Sequence, residues 1–244
     1  MMTIAATGER LLLPKKKRSG LFTLAIWILV AVALLMSVAL FRDPTHIYLH
    51  DAGISPFTTW AFPLGTDDLG RDLFARLSIG AQISMTVGIA TAIVAAIVGS
   101  TYGLIAAMNE GAVDDFLMRG VDILYSLPGL MIVVLLSVFI EPYFLQMLPP
   151  NMAPFAKLIS LVMALSFFSW PEAARLIRGQ ALYLKRQDFV DAYRSLGGST
   201  MRLVMTHFLP NLAPYMLISI MVAVPRAILT ESTLSFMGLG MEAP

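Results

Sequence analysis

Long stretches without a charged side chain restrict this chain more than any other feature. Leu21 to Phe41 runs 21 residues without a charge. At ~1.5 Å per helical residue, that length crosses a hydrocarbon core of roughly 30 Å. Ile83 to Met108 is a second uncharged run, and Ile123 to Ile140 a third, with Pro128 near its start predicting a kink. Leu158 to Trp170 is shorter and becomes a span when Ala153 to Lys157 is included, the lysine amine snorkelling to the interface. Leu212 to Thr230 is interrupted only by Arg226. Hydrophobic residues make up 57% of the chain and charged residues 14%, against roughly 25% charged in soluble domains. The reading is an all-α, polytopic transmembrane helical bundle with five visible spans.

The basic residues orient it. Lys15-Lys16-Lys17-Arg18 precedes the first span. A secretory signal also begins with positive charge, but its apolar core is only ~7–15 residues long, so an uncleaved anchor fits better. With the N-terminus in the cytoplasm, twelve Lys and Arg fall inside and four outside, namely Arg42, Arg71, Arg76 and Lys157, as the positive-inside bias requires. The organisation follows: a cytoplasmic tail over 1–20, a first transmembrane helix over 21–41, and an extracytoplasmic segment over 42–82. A core over 83–244 follows, with an inner loop over 171–211. There are no cysteines, which excludes disulfides and thiolate chemistry. No Gly-x4-Gly-Lys-Ser/Thr phosphate loop occurs, so any ATP is handled by another polypeptide and no cofactor is assigned to this chain.

The inner loop holds half of the inside-facing basic residues. Asp188 is placed to cap a helix whose apolar positions Phe189, Val190, Tyr193 and Leu196 share one face. Gly197-Gly198 breaks it. Ser199 caps a second helix with Met201, Val204, Met205 and Phe208 on one face, and Pro210 closes the loop at the last span. A short helix pair with an apolar face suits insertion into a partner's groove. An amphipathic pair resting on lipid headgroups, a plain connector and a DNA-reading helix-turn-helix are the competing readings. Tethering at both ends to the bilayer disfavours the last.

Asp191-Ala-Tyr-Arg-Ser-Leu-Gly197, followed by Leu209-Pro210, resembles the Glu-Ala-Ala-x3-Gly-x9-Ile-x-Leu-Pro pattern of the membrane subunits of bacterial ATP-binding-cassette importers. Asp191 stands for the Glu, Tyr193 for the second Ala and His207 for the Ile. The literal triplet Glu172-Ala173-Ala174 fails the spacing, because Arg178 stands where Gly is needed, and reads as the fourth span continuing inward. Phe62-Pro-Leu-Gly-Thr-Asp-Asp-Leu-Gly-Arg-Asp72, Arg178-Gly-Gln-Ala-Leu, Asp188-Phe-Val-Asp-Ala and Glu231-Ser-Thr-Leu-Ser-Phe-Met-Gly-Leu-Gly240 resemble one branch, the dipeptide/oligopeptide/nickel permeases, second subunit type. The resemblance implies a type I importer permease fold of six spans in the bacterial inner membrane, the sixth lying beyond Pro244. It also implies a sister permease, two ATPase subunits and an extracytoplasmic substrate-binding protein. The coupling element would be Asp188, Phe189, Asp191, Ala192, Tyr193, Leu196, Gly197, Leu209 and Pro210.

Arg226 and Glu231 are the only charges toward the end of the last visible span. Charges within membranes are costly and often functional, so they are candidates for a translocation path or a subunit interface, and an arginine snorkelling to the outer surface is the competing reading. His46 and His50 share the outer loop with Asp51, Asp67, Asp68 and Asp72. A metal site is one reading. A simpler one is a helix capped by Thr66, with Leu69, Leu73, Phe74 and Leu77 on the membrane surface. No Ser/His pairing or ligand cluster lies in a span, so an enzyme is not expected. The functional expectation is a permease subunit for di-/oligopeptides. Nickel or another small solute is the alternative cargo, and an ATPase-independent secondary transporter the alternative class. Cysteine placed at Arg194 should react with an impermeant thiol reagent only from the inner side of oriented vesicles; labelling from outside overturns this topology.

Overall fold

The computed structural model describes residues 42–109 and 111–241, with 33, 34 and 37 ahead of them. The tail over 1–20 and, those three residues apart, the span over 21–41 lie outside the described residues. Helix α1 (Leu73–Met108) begins where the Asp72 carboxylate accepts from the backbone N–H of Phe74 at 2.8 Å and of Ala75 at 3.4 Å, satisfying donors that a helix start leaves open. The separate interfacial helix expected from Thr66 does not form. Thr66 is bridged to Asp72 and its hydroxyl donates to the Asp51 carbonyl. Asp67 accepts from the N–H of Leu69 at 3.0 Å and of Arg71 at 2.8 Å, and pairs with the side chains of Arg71 and Arg76. Asp67 therefore builds a turn, and Asp72 is the cap. These donors, the Arg71 N–H foremost, hold the Asp67 carboxyl down at about 2. Arg42 pairs with Asp72 at 2.6 Å and donates to the Ala61 carbonyl, anchoring the outer segment to the start of α1.

The third expected span is divided. Helix α2 (Ala112–Ser126) stops, Leu127 is extended, and Pro128 precedes α3 (Gly129–Met147). Proline disfavours helical backbone in the residue before it, so the chain breaks where a kink was expected. Helix α4 (Ala153–Lys185) continues through 171–185, making the first third of the expected inner loop an extension of the span. Helix α5 (Asp188–Ser195), α6 (Thr200–Leu203), a π turn (Val204–Phe208) and α7 (Leu209–Phe236) complete the described chain. Four helices among the described residues are long and apolar enough to cross a membrane: Leu73–Met108, Gly129–Met147, Phe155–Lys185 and Thr200–Phe236.

Small residues let α1 and α4 touch backbone to backbone. A Cβ on Gly103 would lie 2.2 Å from the Ala174 carbonyl oxygen, and one on Gly99 would lie 2.4 Å from that of Trp170. This is close packing of the small-xxx-small kind. The Ala173-Ala174 pair supplies the matching shallow surface, both residues being buried. Polar contacts tie both α2 and α1 to α4 at the end carrying α5. Arg178 makes a two-pronged pair with Asp114, both contacts 2.6 Å, and Arg175 pairs with Asp122 at 2.6 Å. Lys185 donates to the Ala107 and Met108 carbonyls at 3.1 and 3.3 Å, capping the end of α1. At the opposite end, Val87, Val133, Leu161, Leu165 and Leu234 form a second core joining α1, α3, α4 and α7.

Gly103→Ala should therefore lower the stability of the detergent-purified protein by about 1–3 kcal/mol, the usual cost of forcing atoms into a packed contact. Gly179→Ala, where an added Cβ meets nothing within 4 Å, should be neutral or slightly stabilising. Thermal melts of the two variants side by side check this; equal melting temperatures refute the close approach.

Candidate functional site

The residues of the inner-loop motif converge on a helix–turn–helix unit docked on the bundle's end. Asp188, expected as the cap of α5, is its first residue; Gln187 holds the cap position without a side-chain bond. Asp188 and Asp191 both lie in the first turn, where negative charge is favoured by the helix dipole. The helix ends in a left-handed turn. Gly198 N–H donates to the Tyr193 carbonyl at 3.1 Å and Gly197 N–H to that of Arg194 at 2.9 Å, with Gly197 at φ +77°. That pair of bonds closes orphan carbonyls and requires the conformation that glycine adopts without strain. Ser199 then caps the following helix, accepting from the Arg202 N–H at 3.4 Å.

Pro210 does not close the loop as expected. It sits in one helix continuous from Thr200 to Phe236. Proline has no N–H and its ring collides with the carbonyl one turn back. The chain absorbs this by widening into the π turn, where the Leu209 N–H donates to the Val204 carbonyl. Leu209 is half-buried and Pro210 exposed.

The apolar faces are divided as well. Val190 and Phe208 are fully buried in a core with Ala107 of α1, Ile177 and Ala181 of α4, Leu203 of α6 and Leu212 of α7, and Tyr193 packs against it. Phe189 is 39% exposed, Leu196 88%, Met201 68% and Met205 58%. One set of apolar residues fastens the unit to three long helices; the other faces away from the protein. Leu203 escaped the sequence reading because a 3.6-residue period selects Met201 and Met205. The spacing of five between Leu203 and Phe208 belongs to the π turn. Asp191 and Ala192 are exposed, on the outward side. Tyr193 and His207, two departures from the motif, touch one another edge to face at 5.4 Å, and His207 also lies 5.9 Å from Phe189.

Arg226 and Glu231 do not meet. Arg226 forms an ion pair with Glu172 of α4. Glu231, 3% exposed, accepts from the hydroxyls of Ser84 at 3.0 Å and Ser235 at 2.7 Å, so the buried carboxylate has charge-strengthened partners. Glu172 was passed over as part of a helix continuing inward. The signal for it is an acid directly after an uncharged run, opposite an isolated arginine in the next span. In the outer loop Asp67 and Asp72 are committed to backbone N–H groups and arginines. Among the described residues no three His, Cys, Asp or Glu side chains stand together to hold a metal.

Residues 99–244 match the family model described as "Binding-protein-dependent transport system inner membrane component". The chain is 39% identical over 180 residues to the oligopeptide transport system permease protein OppC of Bacillus subtilis (strain 168), covering 74% of this chain and 54% of that protein. It is 34% identical over 239 residues to the dipeptide transport system permease protein DppC of the same organism, covering 97% of this chain and 68% of the relative. The glutathione transport system permease protein GsiD of Pectobacterium atrosepticum is 30% identical over 226 residues, covering 93% of this chain and 69% of the relative. The chain thus spans between 54% and 69% of the lengths of these relatives. With its all-helical multi-pass bundle and the matched region containing the whole α4-to-α7 unit, the chain belongs to the binding-protein-dependent inner membrane components, the permease subunits of ATP-binding-cassette importers with the type I fold.

Proposed function

We propose that this chain is a permease subunit of an ATP-driven importer of di- and oligopeptides. It pairs with a sister permease to form the translocation path, receives cargo from an extracytoplasmic binding protein and is moved by two ATPase subunits. The relatives named for oligopeptide, dipeptide and glutathione transport support a peptide-like cargo. Nickel or another small solute is the alternative cargo for the same machinery, and the family match weighs against an ATPase-independent secondary transporter. ATP is bound by the partner ATPases, and the N-terminus faces the cytoplasm together with α5.

One observation carries the coupling role. Val190 of α5 and Phe208 of the π turn share a buried core with the ends of α1, α4 and α7, so α5 cannot move without moving them. Phe189, Leu196, Met201 and Met205 project from the same unit. A rigid unit fastened to long helices on one side and gripped by a moving partner on the other transmits rigid-body motion. Arg194 and Arg202 supply a basic rim, both exposed.

Two variants test the two halves of this reading. Gly197→Val places a β-branched residue at positive φ, which is strongly disfavoured, and misaims α5. The complex should still assemble in the membrane, while uptake and the stimulation of ATPase activity by loaded binding protein are lost together. Leu196→Asp should leave the subunit folded, since the side chain is 88% exposed. Loss of an apolar anchor at such an interface costs about 2 kcal/mol, roughly thirtyfold in affinity for the ATPase. Co-purification and titration of the ATPase measure it. Normal coupling in both variants removes α5 from the transmission path.

A further inference from the structure

We propose that the Glu172–Arg226 pair is a cargo station in the translocation path, exchanging its internal ion pair for pairing with the two termini of a zwitterionic peptide. The proposal rests on the peptide-importer reading above and adds a site and a recognition chemistry to it. Glu172 and Arg226 each lie on a helix long and apolar enough to cross a membrane, where a charge exposed to lipid is costly. Yet their side chains are 47% and 60% exposed. Two exposed charges on membrane-crossing helices avoid lipid by facing a water-filled passage or a protein partner.

The surrounding space favours the passage. Two cavities of about 280 and 260 Å³ open on either side of the pair, and Ser169, Glu172 and Arg226 line both. Small side chains, among them Ala92, Ala96 and Ala223, line the first, leaving room beside the charges. Arg175, one turn from Glu172, is already held by Asp122 at 2.6 Å and by the Tyr125 ring at 4.0 Å. Among the described residues the Glu172 carboxylate and the Arg226 guanidinium have only each other as ion-pair partners, so the pair can open without stranding a third charge.

A zwitterionic peptide entering a membrane passage loses the hydration of both termini, and unpaired charges there are expensive. The Arg226 guanidinium offers its fork to the cargo α-carboxylate, and the Glu172 carboxylate accepts from the cargo ammonium. Each protein charge changes partner and none is left bare. When the cargo moves on, the two side chains close on each other again, which keeps the empty path neutral.

The test uses the full complex of both permeases and both ATPases, arrested with vanadate in the absence of binding protein. Radiolabelled trialanine is bound to it and displaced by trialanine, N-acetyl-trialanine or trialanine amide. In the wild type both blocked forms should compete roughly tenfold more weakly, as loss of a charge-assisted hydrogen bond implies. Arg226→Gln should abolish only the penalty for the amide, and Glu172→Gln only the penalty for the acetyl form. A merely structural ion pair predicts the same response in both variants, because both break the same contact, and that result overturns the station. So does an absence of terminus dependence in the wild type. If either single variant fails to assemble, Glu172→Gln/Arg226→Gln, which leaves no unpaired charge, should erase both penalties at once; their persistence is refuting. Uptake of trialanine by proteoliposomes with the binding protein is measured in parallel. Uptake without terminus dependence leaves the peptide reading standing and the station overturned, whereas failure to import any peptide overturns both.

Discussion

The backbone contact between α1 and α4 is the constraint on which the rest depends. Gly99 and Gly103 leave α1 so bare that the main chain of α4 at Trp170 and Ala174 lies against it. Dispersion contacts and not hydrophobic transfer hold helices together in lipid, so proximity is what generates the energy. Once the two axes are this close, the remaining ties fall within reach. Arg178 spans to Asp114, Lys185 reaches the last carbonyls of α1, and Ala107 meets Ile177 and Ala181. The floor on which α5 sits is made by that convergence.

A floor of this kind explains how so short a helix is held rigidly in place. Helix α5 has eight residues, too few to be stable alone in water. Its order comes from Val190 in the core, from the glycine turn at Gly197 and from the edge-to-face contact of Tyr193 with His207. Where the motif has two small or aliphatic residues, this chain has two rings in contact. The pair of departures therefore reads as one compensated change: the larger side chain at Tyr193 meets the flatter one at His207. Such coupled positions are non-additive under substitution.

The four spans among the described residues were legible in the sequence because lipid imposes a length and an absence of charge, and both can be counted. The glycine turn and the cap at Ser199 were legible for a similar reason, since few residue types perform those tasks. Three features were not. The start of α1 was misplaced because Thr66, Asp67 and Asp72 are all competent caps, and only the tertiary pairings with Arg71, Arg76 and Arg42 decide among them. Pro210 read as closing the loop at the entrance to the last span because a π turn has no residue signature of its own. The division of the apolar face into Val190 inward and Leu196 outward depends on where α4 and α7 stand, which no local period contains.

The intramembrane charges show the same limit from the electrostatic side. Arg226 and Glu231 share a helix, and sequence separation alone suggests asking whether they pair. The fold sends them to different neighbours. Glu231 turns toward α1, where the Ser84 hydroxyl, together with that of Ser235 on its own helix, satisfies a buried carboxylate; Arg226 turns to α4, where Glu172 neutralises it at an open face. A carboxylate buried at 3% exposure and bonded to neutral donors is fixed in place, because leaving would strand its desolvated charge. An ion pair at an open face has water or cargo as alternative partners and pays little to separate. The two acids in this part of the membrane are thus suited to opposite tasks, Glu231 to holding α1 and α7 in register and Glu172 to changing partners.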